Sequence, residues 1–397
     1  MTTSKNALTI LFAALATTGT LAAQAADEPA KPAAAPAPAP AEPAKPTGPS
    51  LSDVLGVSGI DMKGYVDAAF SYLSTKGQFS SGANSRVFDY EHDSFNLHQV
   101  GLTIAKQPKE GFGALVNITA GKDVSTIKSY NQGSDNFDIT QGFIQYAAGS
   151  WTIIGGKFVT LAGAEVIDPT AGTNYSRSIL FGYAIPFTHT GVRGTYAVND
   201  QVSVILGVNN GWDQLKDMNS QKTVELGATF APSKMLSFAG TIYSGTEQVA
   251  GAADVKGGNR TVFDLVATLN LTDADAFILN FDYGAQKNCY TAACPNITSG
   301  FATAKWDGIA AYWNHTINDQ FRLSLRGEWF NDKDGYRTGV AQKWKELTAT
   351  LAYMPAKNVE LRAEIRADSS DKSGFVKTDL STAKNQQSVG LEAIYKF

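Results

Sequence analysis

The sequence predicts an all-β fold, a transmembrane antiparallel β-barrel of about 16 strands with short periplasmic turns, long outer loops and an inward-folded third loop. Three observations carry that prediction. Apolar and polar residues alternate with period two along segment after segment, as strands with one apolar face require. Connections between those segments alternate between short and long, a rhythm that a soluble sandwich has no reason to keep. The chain ends with Val389, Leu391, Ala393, Tyr395 and Phe397 in one phase, an apolar stripe closed by an aromatic residue.

Composition narrows the function classes. The 397 residues carry a formal charge of −4, so no excess of Lys or Arg exists to cover phosphates and no nucleic acid is expected as a partner. Two cysteines are too few for a disulfide scaffold or a four-thiolate zinc site. No apolar run beyond the N-terminus is long enough for a transmembrane helix.

Residues 1–25 read as a secretory signal. Lys5 is their only charge, an Ala/Leu/Thr run follows from Ala7, and Ala23-Gln24-Ala25 has the small-x-small form of a cleavage site. Residues 26–50 hold eight of the chain's 14 prolines, which predicts an extended Ala/Pro-rich periplasmic linker, either a plain spacer or an arm that touches the cell wall. A short segment, 51–60, has room for one helical turn before the barrel, 61–397.

Strands are predicted at 62–73, 95–106, 112–121, 137–147, 151–158, 189–197, 201–209, 223–230, 235–244, 261–270, 275–285, 305–315, 320–330, 344–354, 358–367 and 387–397. Most approach the roughly 9–11 residues that a tilted membrane strand needs. In 358–367, Val359, Leu361, Ala363 and Ile365 oppose Glu360, Arg362, Glu364 and Arg366. In 320–330, Phe321, Leu323, Leu325 and Trp329 oppose Arg322, Ser324, Arg326 and Glu328. Short connections such as 198–200, 231–234, 271–274, 316–319 and 355–357 fall on the periplasmic side, and long ones such as 74–94, 159–188, 286–304 and 368–386 on the outer side. Tyr146, Trp151, Tyr196, Phe230, Phe277, Phe321, Tyr353 and Tyr395 lie near short turns on the apolar phase, as an interfacial girdle would. Tyr395 and Phe397 also read as the terminal signal for the outer-membrane assembly machinery.

Several motifs resemble the OmpL-like putative beta-barrel porin family of Gram-negative bacteria. They are Leu51-Ser52-Asp53-Val54-Leu55 with Gly59, Gly64-Tyr65-Val66-Asp67, Gly156-Lys157-Phe158, Gly163-Ala164-Glu165 and Asn174-Tyr175-Ser176-Arg177-Ser178. Pro186-Phe187-Thr188-His189-Thr190-Gly191-Val192-Arg193 and Asn210-Gly211-Trp212-Asp213 complete the set. The resemblance implies an outer-membrane channel and carries over no substrate-binding residues.

Sixteen strands leave a bore wide enough for water. The longest outer loop, 159–188, is the third, and Leu161, Val166, Ile167, Ile179, Leu180, Phe181 and Phe187 make it too apolar to stand free in solvent. By analogy with general porins it folds inward and narrows a pore; alternatively it latches the rim or a subunit contact. Glu165 and Asp168 on that loop and Arg193, Arg322, Arg326, Arg362 and Arg366 on the lumen phase are the candidate constriction, opposed acid and base that order water and sort ions. Glu328, Glu360 and Glu364 dilute the basic side, so the same arginines have wall partners available. Arg177 either binds Glu165 or points into the pore.

The leading expectation is therefore a porin, a water-filled channel for passive diffusion of small hydrophilic solutes or ions. A closed structural or adhesion barrel is the alternative. Outer-membrane lipid is the surrounding partner, and a homotrimer is expected by analogy. No enzyme is expected, because Ser94 and His98 are too far apart along one strand to act as nucleophile and base. No cofactor or metal is expected either, since His92, His98, His189 and His315 show no metal-ligand spacing. Cys289 and Cys294 are expected to pair and clip loop 286–304, the alternatives being free thiols or a bond to another chain.

Overall fold

The structure, a computed structural model, describes residues 51–130, 132, 135–247, 257–290 and 301–397. The expected signal and linker, 1–50, lie outside the described residues. A short helix α1 (Leu51–Val57) occupies the place of the expected helical turn. Eighteen strands follow among the described residues. They are β1 (Asp61–Leu73), β2 (Ser94–Lys106), β3 (Gly111–Ala120), β4 (Phe137–Ala148), β5 (Trp151–Val159), β6 (Thr188–Ala197), β7 (Val202–Asn209), β8 (Thr223–Phe230) and β9 (Leu236–Glu247). The remainder are β10 (Gly258–Asn270), β11 (Asp275–Tyr290), β12 (Phe301–Asn318), β13 (Phe321–Asp332), β14 (Gln342–Ala356), β15 (Val359–Ser370), β16 (Phe375–Val376), β17 (Thr382–Ala383) and β18 (Asn385–Lys396).

β1 to β15 and β18 form one closed barrel in which each strand pairs with its sequence neighbour, while β16 and β17 make a small hairpin within the last outer loop. Closure joins β1 to β18, with Val66 opposite Tyr395 and Phe70 opposite Leu391. Phe397 completes the seam: its N–H donates to the Gly64 carbonyl at 2.9 Å and its carbonyl accepts from the Gly64 N–H at 2.8 Å. Its ring lies 2.5 Å from where a Cβ on residue 64 would stand, so a side chain there would have to displace the ring.

The sixteen expected barrel strands are present, but β11 and β12 run several residues beyond 275–285 and 305–315 into the outer side. Above the lipid a strand has no apolar face to display, so its period-two signal fades while its ladder continues. Burial is inverted relative to a soluble protein. On β15, Glu360, Arg362, Glu364, Arg366 and Asp368 are buried in the lumen, while Leu361 and Ile365 are exposed on the lipid side. Near the short turns, aromatic pairs bridge strands at Phe112–Tyr146, Trp151–Tyr196 and Phe321–Tyr353, with ring centroids 4.8, 4.8 and 4.9 Å apart. This is the girdle geometry that keeps amphipathic rings at the membrane interface.

Among the described residues, the first, third, fourth and last outer loops send aromatic side chains inward. Phe79, Phe181, Phe187, Trp212 and Phe375, together with Trp306 and Trp344 from strand ends, belong to one buried apolar cluster at the outer mouth. Among the described residues no helix is long and apolar enough to cross a membrane.

Candidate functional site

Loop 3, residues 160–187, leaves β5 and folds into the lumen. An irregular segment there has no ladder partner for its N–H and C=O groups, and each group left unpaired away from water costs as much as a lost hydrogen bond. The wall supplies the partners. Glu364 accepts the N–H groups of Tyr175 and Ser176 at 2.8 and 3.0 Å. Glu328 does the same for Ile179 and Leu180 at 2.9 and 3.1 Å. Guanidiniums take the carbonyls: Arg326 donates to Ser176 O at 2.7 Å, Arg366 to Arg177 O at 2.7 Å, and Arg362 to Gly172 O at 2.8 Å and Pro169 O at 3.1 Å. The alternating Arg and Glu of β13 and β15 thus read as a template for one particular loop backbone.

Glu165 lies at the core of this docking. Its carboxylate accepts the Ser178 N–H at 2.7 Å, so it closes the loop on itself, and accepts Arg326 at 2.9 Å. Asp168 caps the 3₁₀ turn Pro169–Ala171 through the Thr170 N–H at 2.9 Å. The expectation of acid and base facing each other across a gap is replaced by direct contact. Arg326 touches Glu346 at 2.8 Å, Arg362 touches Glu360 and Glu392 at 2.8 and 3.0 Å, and Arg366 touches Asp368 at 2.8 Å. Arg322 pairs with Glu360 and Arg193 with Glu225, each at 2.6 Å. Packing decides this outcome: charges this deep are stable only when paired. Arg177 follows neither anticipated course. It donates to the Ile167 carbonyl at 3.0 Å and lies over the Phe88 ring.

His98 is the anchor that sequence reasoning did not assign. A register shift in the β1–β2 ladder leaves it as the extra residue, so His98 and Gln99 both turn inward. His98 Nδ1 meets Asp123 at 2.8 Å and Nε2 meets the Tyr175 hydroxyl at 3.1 Å, which fastens loop 3 to the second outer loop. Burial raises the Tyr175 phenol well above its ordinary range, aided by Asp89, so it stays a protonated hydrogen-bonding group. The signal was present: the exposed apolar phase switches from Phe95 and Leu97 to Val100, Leu102 and Ile104.

Many of these anchors stand on β13 and β15, while β2 also holds the loop, through His98 at Tyr175 and through Gln99, which donates to the Ile167 carbonyl at 3.2 Å, and Asn280 of β11 accepts the Ala164 N–H at 3.1 Å. Between the loop and the β1–β5 wall lies a cavity of about 540 Å³. Lys63, Thr103, Asn117 and Gln141 line it from the wall, Val166 and Asp168 from the loop.

The other candidates lie elsewhere. The Ser94 hydroxyl contacts the Phe95 carbonyl while His98 is held by Asp123 and Tyr175. His92 contacts the Leu73 carbonyl, His189 stacks on Tyr243, and His315 meets Asp275 at 2.9 Å. Among the described residues no cluster of His, Cys, Asp and Glu is arranged to hold a metal ion. Cys289 is disulfide-bonded, and Cys294 lies outside the described residues.

Solved porin and channel structures share this architecture. The outer-membrane channel DcaP of Acinetobacter baumannii is 16% identical with a TM-score of 0.56, over 85% of this chain and 97% of its own. An anion-selective porin from Comamonas acidovorans is 10% identical with a TM-score of 0.59, over 85% and 99%. OprB of Pseudomonas putida is 10% identical with a TM-score of 0.57, over 87% and 96%. At such identities the likeness is one of fold. No curated protein matches the chain. The family model described as putative beta-barrel porin-2, OmpL-like, matches residues 59–397, the whole barrel from its first strand to its terminal aromatic, and the chain belongs to that family.

Proposed function

We propose that this outer-membrane porin passes small hydrophilic solutes or ions by passive diffusion along one side of its lumen, between loop 3 and the β1–β5 wall. One observation carries the reading: a space of about 540 Å³ stays open between loop 3 and the β1–β5 wall although the loop backbone is bonded through its N–H and C=O groups to β13 and β15. The constriction is then set by Asp168 and Val166 facing Lys63, Thr103, Asn117 and Gln141, while the wall arginines position the loop. Export with removal of a signal near Ala25, insertion on the terminal Tyr395 and Phe397, and association as a homotrimer belong to the same reading.

Single-channel recording in a planar bilayer tests it. Stepwise conductance is expected, reduced by Asn117→Trp, which adds bulk inside the passage. One observation favours the second reading, a closed structural barrel: the aromatic cluster at the outer mouth is almost fully buried. A correctly folded barrel that stays electrically silent would establish that alternative.

A further inference from the structure

We infer that the passage is built for neutral polyhydroxylated solutes, sugars or polyols, in preference to organic anions; this rests on the porin reading and names its substrate class. The first argument is where positive charge remains. Arg193, Arg322, Arg326, Arg362 and Arg366 are each in an ion pair with a wall carboxylate. The charged groups that line the cavity are Lys63, Asp61 and Asp168, a balance that does not attract anions.

The second argument is which hydrogen-bonding atoms stay available. Asn117, which lines the cavity, donates its amide N–H to Thr103 Oγ1 at 2.9 Å, a bond that does not use its Oδ1. Gln141 accepts the Val159 N–H through Oε1 at 3.3 Å, which leaves its amide N–H₂. Asp168 spends Oδ1 on Thr170 and keeps Oδ2. The set offers acceptors and a donor side by side. A hydroxyl donates and accepts at once, so a ring or chain of hydroxyls can satisfy them together. A carboxylate only accepts, and would meet Asn117 Oδ1 and Asp168 Oδ2 as unpaired acceptors in a partly desolvated slot.

The third argument is how the wall is shaped. The β3–β4 ladder shifts register between Asn117 and Ile118, with Asn117 opposite Gln141 and Ile118 opposite Ile139. Thr140 is therefore an extra residue, and Thr140 and Gln141, consecutive in the chain, both line the cavity. Bulges of this kind re-aim side chains beside binding sites. Across the slot, Val166 and Ile167 present an aliphatic surface on which the C–H face of a sugar can lie. A cavity of about 540 Å³ is of the size that encloses a small ligand.

Proteoliposomes in excess KCl, supplied with radiolabelled mannitol and radiolabelled gluconate of nearly equal size, provide the test. Mannitol is expected to enter about five-fold faster or more, the ratio that one unfavourable polar contact produces. Asn117→Lys supplies the missing cation and is expected to narrow or reverse that ratio. Should this variant fail to fold, Asp168→Asn, which keeps an oxygen for the Thr170 N–H but removes a negative charge and turns a lone acceptor into a donor, is expected to raise gluconate entry relative to mannitol. Gluconate entering the wild-type channel as fast as mannitol would overturn the sugar inference while leaving the porin reading intact. Vesicles that admit neither solute and carry no KCl conductance would overturn the porin reading itself.

Discussion

Arg326 shows how much one side chain holds. It is fully buried and touches Glu165, Glu328 and Glu346 while donating to the Ser176 carbonyl. Arg326→Met leaves buried carboxylates without their cation, and is expected to cost about 3–5 kcal/mol, read as an earlier loss of the folded band in heated SDS gels. Glu165→Gln keeps an acceptor for Ser178 and a neutral partner for Arg326, so a smaller loss is expected in the same assay. Asp213, in outer loop 210–222, offers a pH test. Burial raises its carboxyl to about 6, against the pull of the Thr188 and Phe187 N–H groups. A carboxyl raised on folding stabilises while protonated, and that contribution fades as pH climbs from the ordinary carboxylate range through about 6. The difference in melting between wild type and Asp213→Asn should therefore change between pH 4 and 7, with the wild type relatively weaker at the upper end. A constant difference would refute the assignment. Asp89 shows the opposite sign: burial works against ionisation, yet Arg86 at 2.8 Å holds the carboxyl below its usual range. At this scale the sequence showed which residues face the lumen, because phase alone determines that. It did not show who pairs with whom, since Arg326, Glu165 and Glu346 meet only after distant segments fold together.

At the scale of elements, loop 3 behaves as an inserted piece of structure whose seat is cut to shape. Tyr175 lies against Gly390 of β18, where a Cβ would stand 2.3 Å from its ring. Gly390→Val is expected to push Tyr175 off that wall, and single-channel records should then show a shifted, noisier conductance in a barrel that still folds. An unchanged trace would mean that the loop's seat does not define the passage. The strands were legible because two-faced strands in lipid must alternate, and the loop because so many apolar residues in one outer connection need burial. Two features were harder to read. The outer ends of β11 and β12 leave the membrane and lose their apolar face, and the bulge at His98 appears in the sequence only as a change of phase.

For the whole molecule, the pairing of lumen charges predicts weak ionic discrimination. With the wall arginines paired to carboxylates, the charges that line the cavity are Asp61, Lys63 and Asp168, two acids against one base. Reversal potentials in a KCl gradient should give a cation-to-anion permeability ratio above one but within about three-fold of it. Strong anion preference would contradict the charge balance described.

The position of the loop along the chain also imposes an order in time. Loop 3 emerges between β5 and β6, yet the groups that grip it stand largely on β13, β15 and β18. Its seat does not exist until the last strands have been laid down and Phe397 has locked onto Gly64. Substitutions in the final strand are therefore expected to loosen loop 3 as well as the seam, and to be read first as raised conductance.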